Sequence, residues 1–325
     1  MSPRQLAITD LIFTSTEPEQ ALLQACGGGR LVVSPSADEA TLIEACRDAD
    51  AVLTCFAQVS AAVLAQARRC RIVVRYGTGV DTIDVAEATR RGILVCNVPE
   101  YCTDEVAEHT LALMLACARR LPRAARRLEQ GERWSIDLVR PLHSLGSATV
   151  GLIGFGKIAR AVCARLRPFG AKVLVYARGD RRGEIERAGA EPAPLDTLLA
   201  LSDYISLHVP LTAETRHLIG TAELARLKPT AYLINTARGG LVDADALVDA
   251  LGAGRLAGAA LDVMPSEPPP ADHPLLHLEN VVVTPHAAFY TEESLDRLQK
   301  LAVEQLRQFW RGERPTALVN PAAWR

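Results

Sequence analysis

The residues with the clearest chemical spacing are Gly154-Phe155-Gly156-Lys157-Ile158-Ala159, which directly follow the apolar run Thr149-Val150-Gly151-Leu152-Ile153. The first glycine takes a tight turn, the second lets the backbone approach a pyrophosphate, and Ala159 is small enough for the next helix to pack on the sheet. That helix offers unpaired N–H groups and the positive end of its dipole to an anion. The chemistry implied is dinucleotide binding. A tight strand-to-helix turn without a ligand is the plain alternative, weakened because strand, helix and second strand stand in the order the motif needs.

The second strand, Lys172-Val173-Leu174-Val175-Tyr176, carries information about the cofactor. An NAD-binding unit normally ends this strand with Asp or Glu, which accepts hydrogen bonds from the adenosine ribose. Here the place holds Ala177, followed by Arg178. Loss of the carboxylate removes repulsion against a 2′-phosphate, and Arg178 with Arg181 or Arg182 offers a bidentate grip on it. NADP(H) is therefore favoured over NAD(H). The opposing reading has Asp180 hold the ribose, with the arginines as solvated surface charge.

Four further segments gather polar residues beside turns: Arg75-Tyr76-Gly77-Thr78-Gly79-Val80-Asp81-Thr82-Ile83-Asp84, Asn235 to Asp243, Leu261 to Pro268, and Thr284-Pro285-His286-Ala287-Ala288. Taken singly, Arg238 reads as turn surface, Glu267 as a solvated acid and His286 as an ordinary loop histidine. The other histidines, His109, His143, His208, His217, His273 and His277, take a structural reading; His208 borders the cofactor turn.

The elements that must position these residues alternate between short apolar runs and helical patterns. Leu31-Val32-Val33, Ala51-Val52-Leu53, Ile72-Val73-Val74 and Ile93 to Cys96 form a first group. Thr149 to Ile153, Lys172 to Tyr176, Tyr204 to Leu207, Ala231 to Ile234, Gly258 to Leu261 and Val281 to Val283 form a second group of six, the count of a dinucleotide-binding fold. The fold class is α/β, with two doubly wound parallel-sheet domains. Between the groups, a helix over Asp104 to Arg120 with Thr103 as N-cap is apolar on every face around Leu111 to Ala116, which predicts burial within one subunit or between two. Leu121 to Ser147, rich in Arg and Pro, shows weak periodicity.

The 325 residues carry 36 basic and 38 acidic side chains, net charge −2, so no basic footprint for nucleic acid is present. The N-terminal stretch from Met1 to Asp10 lacks a signal-peptide run and no segment is apolar enough to span a membrane, which predicts a cytoplasmic protein. Eight cysteines show no Cys-x-x-Cys spacing, so they read as buried reduced thiols, with no metal site.

In their order along the chain, the four turn segments resemble those of the D-isomer-specific 2-hydroxyacid dehydrogenases, over nearly the whole length. The similarity is nearest to the C-terminal-binding-protein branch in Cys96-Asn97-Val98-Pro99, Asn235 to Asp243 and His286 to Tyr290. The resemblance implies hydride transfer between a nicotinamide and C2 of a 2-oxo or D-2-hydroxy acid. It makes His286 the general acid and base, Glu267 the carboxylate that fixes its tautomer and favours its protonated form, and Arg238 the fork that holds the substrate carboxylate. Tyr76, Gly77, Thr78 and Phe289 complete the implied substrate contacts. Cofactor contacts fall on Thr78, Val106, the turn from Gly154 to Ile158, Arg178, Val209, Pro210, Thr215, Thr236, Ala237, Asp262 and Ala288, with Asp262 on the carboxamide and Val106 against the ring.

The same resemblance implies a discontinuous substrate domain, residues 1–98 and 290–325 and flavodoxin-like, around a Rossmann cofactor domain of residues 99–289, with the active site in the cleft. It implies a homodimer formed through the helix from Asp104. Phe289 favours an apolar or aromatic substrate group over a phosphate, and Arg140 or Tyr101 would alter that polarity. One alternative is a dinucleotide-binding corepressor-like protein without significant turnover. Another is formate dehydrogenase, which carries Gln where this chain has Glu267; proton delivery is needed for a carbonyl and not for formate, so the carboxylate argues for a hydroxy acid.

Overall fold

The computed structural model describes residues 4–324; residues 1–3 and 325, which open the N-terminal stretch and end the tail considered above, lie outside it. The chain forms two compact units, one from Met1–Tyr101 with Thr291–Arg325 and one from Cys102–Tyr290. The family resemblance implies junctions at 98/99 and 289/290. The first unit keeps Tyr101 because its carbonyl accepts from Arg297 Nε at 2.8 Å.

The first unit runs β1 (Arg4–Ile8), α1 (Glu17–Ala25), β2 (Gly29–Val33), α2 (Glu39–Cys46), β3 (Ala51–Thr54), α3 (Ala61–Gln66), β4 (Ile72–Arg75), α4 (Val85–Arg90) and β5 (Leu94–Cys96). All pairings are parallel, in the order β2-β1-β3-β4-β5, the flavodoxin-like arrangement. β3 and β4 are buried along their whole length, as parallel strands covered on both faces require. β1 escapes the sequence pattern because only Leu6-Ala7-Ile8 of its five residues are apolar.

The chain returns to this unit at its end. Before that return the second unit runs α5 (Thr103–Ala118), α6 (Leu121–Glu129), β6 (Thr149–Ile153), α7 (Lys157–Leu166), β7 (Lys172–Tyr176), α8 (Arg182–Arg187), β8 (Glu191–Pro192), α9 (Leu195–Leu201), β9 (Tyr204–Leu207), α10 (Thr221–Leu224), β10 (Tyr232–Asn235), α11 (Ala244–Gly252), β11 (Gly258–Leu261) and β12 (Val281–Val283). Then α12 (Glu292–Trp310) lies on the first sheet, capped by the Thr291 hydroxyl on Ser294 N at 3.0 Å. Gln299 of α12 donates to the buried Glu19 of α1. Beyond it, buried Asn320 accepts from Val95 N at 2.7 Å and donates to Ile93 O at 2.9 Å, fixing the tail to β5.

The second sheet is also parallel throughout, in the order β12-β11-β10-β9-β6-β7-β8. It has seven strands where the apolar runs gave six, because β8 is a two-residue edge with one charged residue and one proline. Strand order reverses at β6, whose neighbours are β7 and β9. In open α/β sheets ligands bind at the carboxyl ends beside such a switch point. The register aligns Ile153, Leu207, Asn235, Leu261 and Val283, so the loops after these strands start side by side.

One helical expectation is corrected: Thr103 is the first helical residue of α5 and Cys102 its N-cap, without a side-chain capping bond. Within this chain Leu111, Leu113, Met114 and Cys117 of α5 are buried, Ala112 is exposed and Leu115 and Ala116 lie between. The segment read as weakly periodic contains α6, a helix with no buried residue, whose arginines masked its pattern. Among the described residues no helix is long and apolar enough to cross a membrane.

Candidate active site

Gly154 sits at φ +104°, in the region that favours glycine, and its N–H bonds Tyr176 O at 2.8 Å. A Cβ here would stand 2.4 Å from the carbonyl oxygen of His208, whereas one on Gly156 would meet nothing within 4 Å. The first glycine is thus demanded by packing against the β9 loop, and the second opens room above the start of α7 for a pyrophosphate. Phe155 and Ala159 are buried beneath, with Lys157 exposed and Ile158 partly so. These residues fit a dinucleotide.

At the end of β7, Arg178 is exposed. Arg181 donates to Glu184 Oε2 at 2.6 Å, Arg182 pairs with Glu186 at 3.2 Å, and Asp180 accepts from Arg182 N at 3.3 Å. Both arginines named with Arg178 therefore hold acids of their own helix. The Thr212 hydroxyl, with the charge of Arg178 as a smaller cause, holds the Glu214 carboxyl below its ordinary range. In the same loop, the Thr215 hydroxyl bonds Pro210 O at 2.7 Å and receives Thr212 N at 2.7 Å. Thr215 braces the loop from within, and Val209 faces Gly154.

The loops after β10, β11 and β12 form the polar centre. Asn235, 1 % exposed, accepts from Ala237 N at 3.0 Å and donates to Arg238 O at 2.9 Å, shaping the turn that carries Thr236, Ala237 and Arg238. The next residue, Gly239, lies against the Met264-Pro265 backbone, where a Cβ would stand 2.1 Å from Met264 C. This close approach joins the arginine turn to the Glu267 loop, and the charge of Arg238 reaches Glu267.

Glu267 Oε1 accepts from Met264 N at 2.9 Å, and its Oε2 meets His286 Nδ1 at 2.6 Å. Burial pushes the Glu267 carboxyl up, but the bond and charge of His286, with the Met264 N–H and Arg238, leave it below its ordinary range. A carboxylate only accepts, so His286 Nδ1 carries the proton of this bond. The Phe289 ring stands edge-on to the imidazole, centroids 6.1 Å apart and planes at 80°.

His286 itself has φ +52°, a left-handed conformation uncommon outside glycine. Asp262, 1 % exposed, holds it there: its carbonyl accepts from His286 N at 2.8 Å, Oδ1 from Ala287 N at 2.9 Å and from Thr284 Oγ1 at 2.6 Å, and Oδ2 from Ala288 N at 2.9 Å. Burial raises the Asp262 carboxyl, yet the bonds from His109, Thr284, Ala288 and Ala287 outweigh it and keep it ionised. Val106, on the first turns of α5, is buried.

In the first unit, Gly77 has φ +149° and packs on the Arg75 guanidinium, and Thr78 Oγ1 donates to Val98 O at 3.2 Å. Tyr76, expected as a substrate contact, is 1 % exposed and donates its hydroxyl to Glu19 Oε1 at 2.6 Å. Its ring belongs to the core, so the expectation of a side-chain contact is corrected; beside it Gly77 is buried and Thr78 exposed.

Comparison with known proteins agrees with this geometry. Residues 111–288 match the family described as D-isomer specific 2-hydroxyacid dehydrogenase, NAD binding domain. A glyoxylate reductase of Korarchaeum cryptofilum is 44% identical over 284 residues, covering 86% of this chain and 85% of that protein. The chain belongs to the D-isomer-specific 2-hydroxyacid dehydrogenase family. Among solved structures similar to this dehydrogenase, D-lactate dehydrogenase from Aquifex aeolicus, complexed with NAD and lactic acid, aligns with TM-score 0.88 at 30% identity, covering 97% of this chain and 99% of that one. The NADPH-dependent glyoxylate/hydroxypyruvate reductase from Sinorhizobium meliloti, in complex with NADP and malonate, aligns with TM-score 0.86 at 31% identity, covering 100% and 99%. The dehydrogenase is therefore an NAD(P)-dependent enzyme interconverting 2-oxo and 2-hydroxy acids, and the corepressor-like alternative is left without support.

Within the dehydrogenase's second unit the structure brings Arg238, Glu267, His286, Asp262 and Phe289 onto adjoining loops. The segments singled out in the sequence also carry Asn235 and Gly239, which shape the arginine turn, and Thr284; sequence reading missed the support that His109 and Thr110 give the histidine and arginine loops. Their signal was helical phase: His109 and Thr110 follow Val106 at the spacings that share a helix face.

His208 beside the glycine turn bonds Ser206 Oγ at 2.9 Å, and burial pulls its pKa from 6.5 down to about 4. The folded protein prefers the neutral ring, so this contribution to stability is present in full above pH 6.5 and is lost as pH falls towards 4. A shift of this size corresponds to about 3 kcal/mol. Urea midpoints measured between those limits should fall with pH, and His208→Gln should flatten the slope; an unchanged slope would contradict the assignment.

Proposed function

We propose that this dehydrogenase reduces a small, unphosphorylated 2-oxo acid with NADPH, and that His286, Glu267 and Arg238 carry the reaction. The observation that carries the reading is the His286–Glu267 contact at 2.6 Å, on a turn fixed by Asp262 and beside Arg238. When bound, the reduced nicotinamide supplies the hydride. Arg238 binds the substrate carboxylate through its donor fork and polarises the carbonyl. His286 delivers its Nε2 proton to the carbonyl oxygen, while Glu267 keeps the Nδ1 proton in place and stabilises the imidazolium before transfer. In the opposite direction His286 accepts the hydroxyl proton.

The second unit serves as the cofactor domain: the Gly154–Ile158 turn holds the pyrophosphate, Val209, Pro210, Thr215, Thr236, Ala237 and Ala288 border it, Asp262 orients the carboxamide and Val106 supports the ring. The first unit serves as the substrate domain, and the backbone at Gly77 and Thr78 suits a carboxylate. Phe289 presents an apolar ring beside His286, which fits the glyoxylate reductase names of several relatives better than a phosphorylated substrate. Arg178 is the determinant of the NADPH preference, since no carboxylate ends β7 and its neighbours hold acids of their own.

We also infer a homodimer. Leu121 and Trp134, 58 % and 87 % exposed, and Ile136 lie on and after α6, an apolar surface continuous in sequence with the partly open α5. A monomer in sedimentation at micromolar concentration would overturn this. Eight free cysteines, with Cys46, Cys55, Cys70, Cys96 and Cys117 raised to about 12 by burial, fit a reducing cytoplasm.

Steady-state rates with glyoxylate, hydroxypyruvate, pyruvate and phenylpyruvate test the activity. His286→Asn should lower kcat by about 10²- to 10⁴-fold with little change in KM, and a variant retaining wild-type turnover would overturn the assignment. With wild-type enzyme kcat/KM should be higher for NADPH than for NADH, and Arg178→Ala should lower the ratio by about tenfold, roughly 1.4 kcal/mol. An unchanged ratio would show that Arg178 does not read the 2′-phosphate.

A further inference from the structure

We propose that the consecutive residues His109 and Thr110 of α5 are positioning residues, which brace the two loops that carry His286 and Arg238 against one helix. The inference rests on the roles given to those two residues above and adds what sets their places.

Thr284 Oγ1 donates to Asp262 Oδ1 at 2.6 Å, and a hydroxyl has a single proton to give. The 3.0 Å contact between Thr284 Oγ1 and His109 Nε2 must therefore have the ring as donor. His109 carries its proton on Nε2 and directs it at Thr284, with Asp262 Oδ1 3.4 Å from the same nitrogen. The Asp262 carboxylate in turn receives Ala287 N and Ala288 N, the two residues after His286. His109 is thus a donor to the cluster that holds the left-handed turn.

Thr110 repeats the pattern one residue on. Its hydroxyl donates to Val106 O at 2.7 Å, so the 2.9 Å contact with Thr236 Oγ1 has Thr236 as donor. Thr236 stands two residues before Arg238 on the Asn235 turn. Thr110 is fully buried and His109 partly so. An ordinary core helix would place apolar groups here. Adjacent polar residues committed to two separate strand-end loops instead fix the spacing of the loops in the direction across the sheet, which the strand register alone does not set.

The test compares His109→Leu, which keeps bulk and removes the donor, with His109→Gln, whose amide places an N–H near the original Nε2. In His109→Leu, amide hydrogen exchange at Ala287 and Ala288 should accelerate and kcat should fall, each by about tenfold, the equivalent of one lost hydrogen bond, while KM for the 2-oxo acid stays near wild type. His109→Gln should restore both. For the second contact, Thr110→Val should raise KM for the 2-oxo acid severalfold through Arg238, and Thr110→Ser should restore it. Wild-type exchange and turnover in His109→Leu would overturn the proposal. So would equal impairment of the Leu and Gln variants, which would assign the position to ring packing. Exchange is read without substrate or cofactor, so it judges the brace even if His286→Asn, run in parallel, shows that the catalytic assignment itself has failed.

Discussion

A buried carboxylate holding a strained turn is the constraint on which this enzyme's site depends. His286 adopts a positive φ that costs a non-glycine residue on the order of 1–3 kcal/mol, and persists only where its surroundings over-determine it. Asp262 supplies that determination through its carbonyl on His286 N and its two carboxylate oxygens on Ala287 N, Ala288 N and Thr284. Hydrogen bonds to a charged group contribute about 1.5–3 kcal/mol each, so even two of them outweigh the strain. In this conformation Nδ1 meets Glu267 Oε2 at 2.6 Å.

The sheet explains why these groups meet. Residues 235, 261 and 283 are in register on adjacent parallel strands, so the Arg238, Asp262 and His286 loops leave the same edge side by side. The glycine turn leaves that edge at the point where strand order reverses. Gly239 then closes the distance between the arginine turn and the Glu267 loop by letting two backbones touch. Positioning is thus distributed over strand register, two glycines and one helix, with chemistry confined to a few side chains.

Much of this was legible in the residues alone, for reasons that differ by site. The two parallel α/β sheets follow from apolar runs too short for buried helices, and Gly154 from a conformation other residues avoid. The family motifs single out Arg238, Glu267 and His286 because their order along the chain is itself informative. Other features depend on partners far away in sequence. Tyr76 reads as a substrate contact, but its hydroxyl is taken by Glu19, 57 residues earlier. His109 read as structural because its partners lie 153 and 175 residues further on. α6 was hidden by its arginines, and β8 by its brevity and its proline.

The central claim is that this site transfers hydride to C2 of a 2-oxo acid and protonates the oxygen with one fixed handedness. The most direct measurement is the product formed from hydroxypyruvate and NADPH deuterated at the transferring position, analysed by chiral chromatography and mass spectrometry. The account predicts the D-hydroxy acid with deuterium at C2. An L or racemic product, or a product without the label, would contradict it.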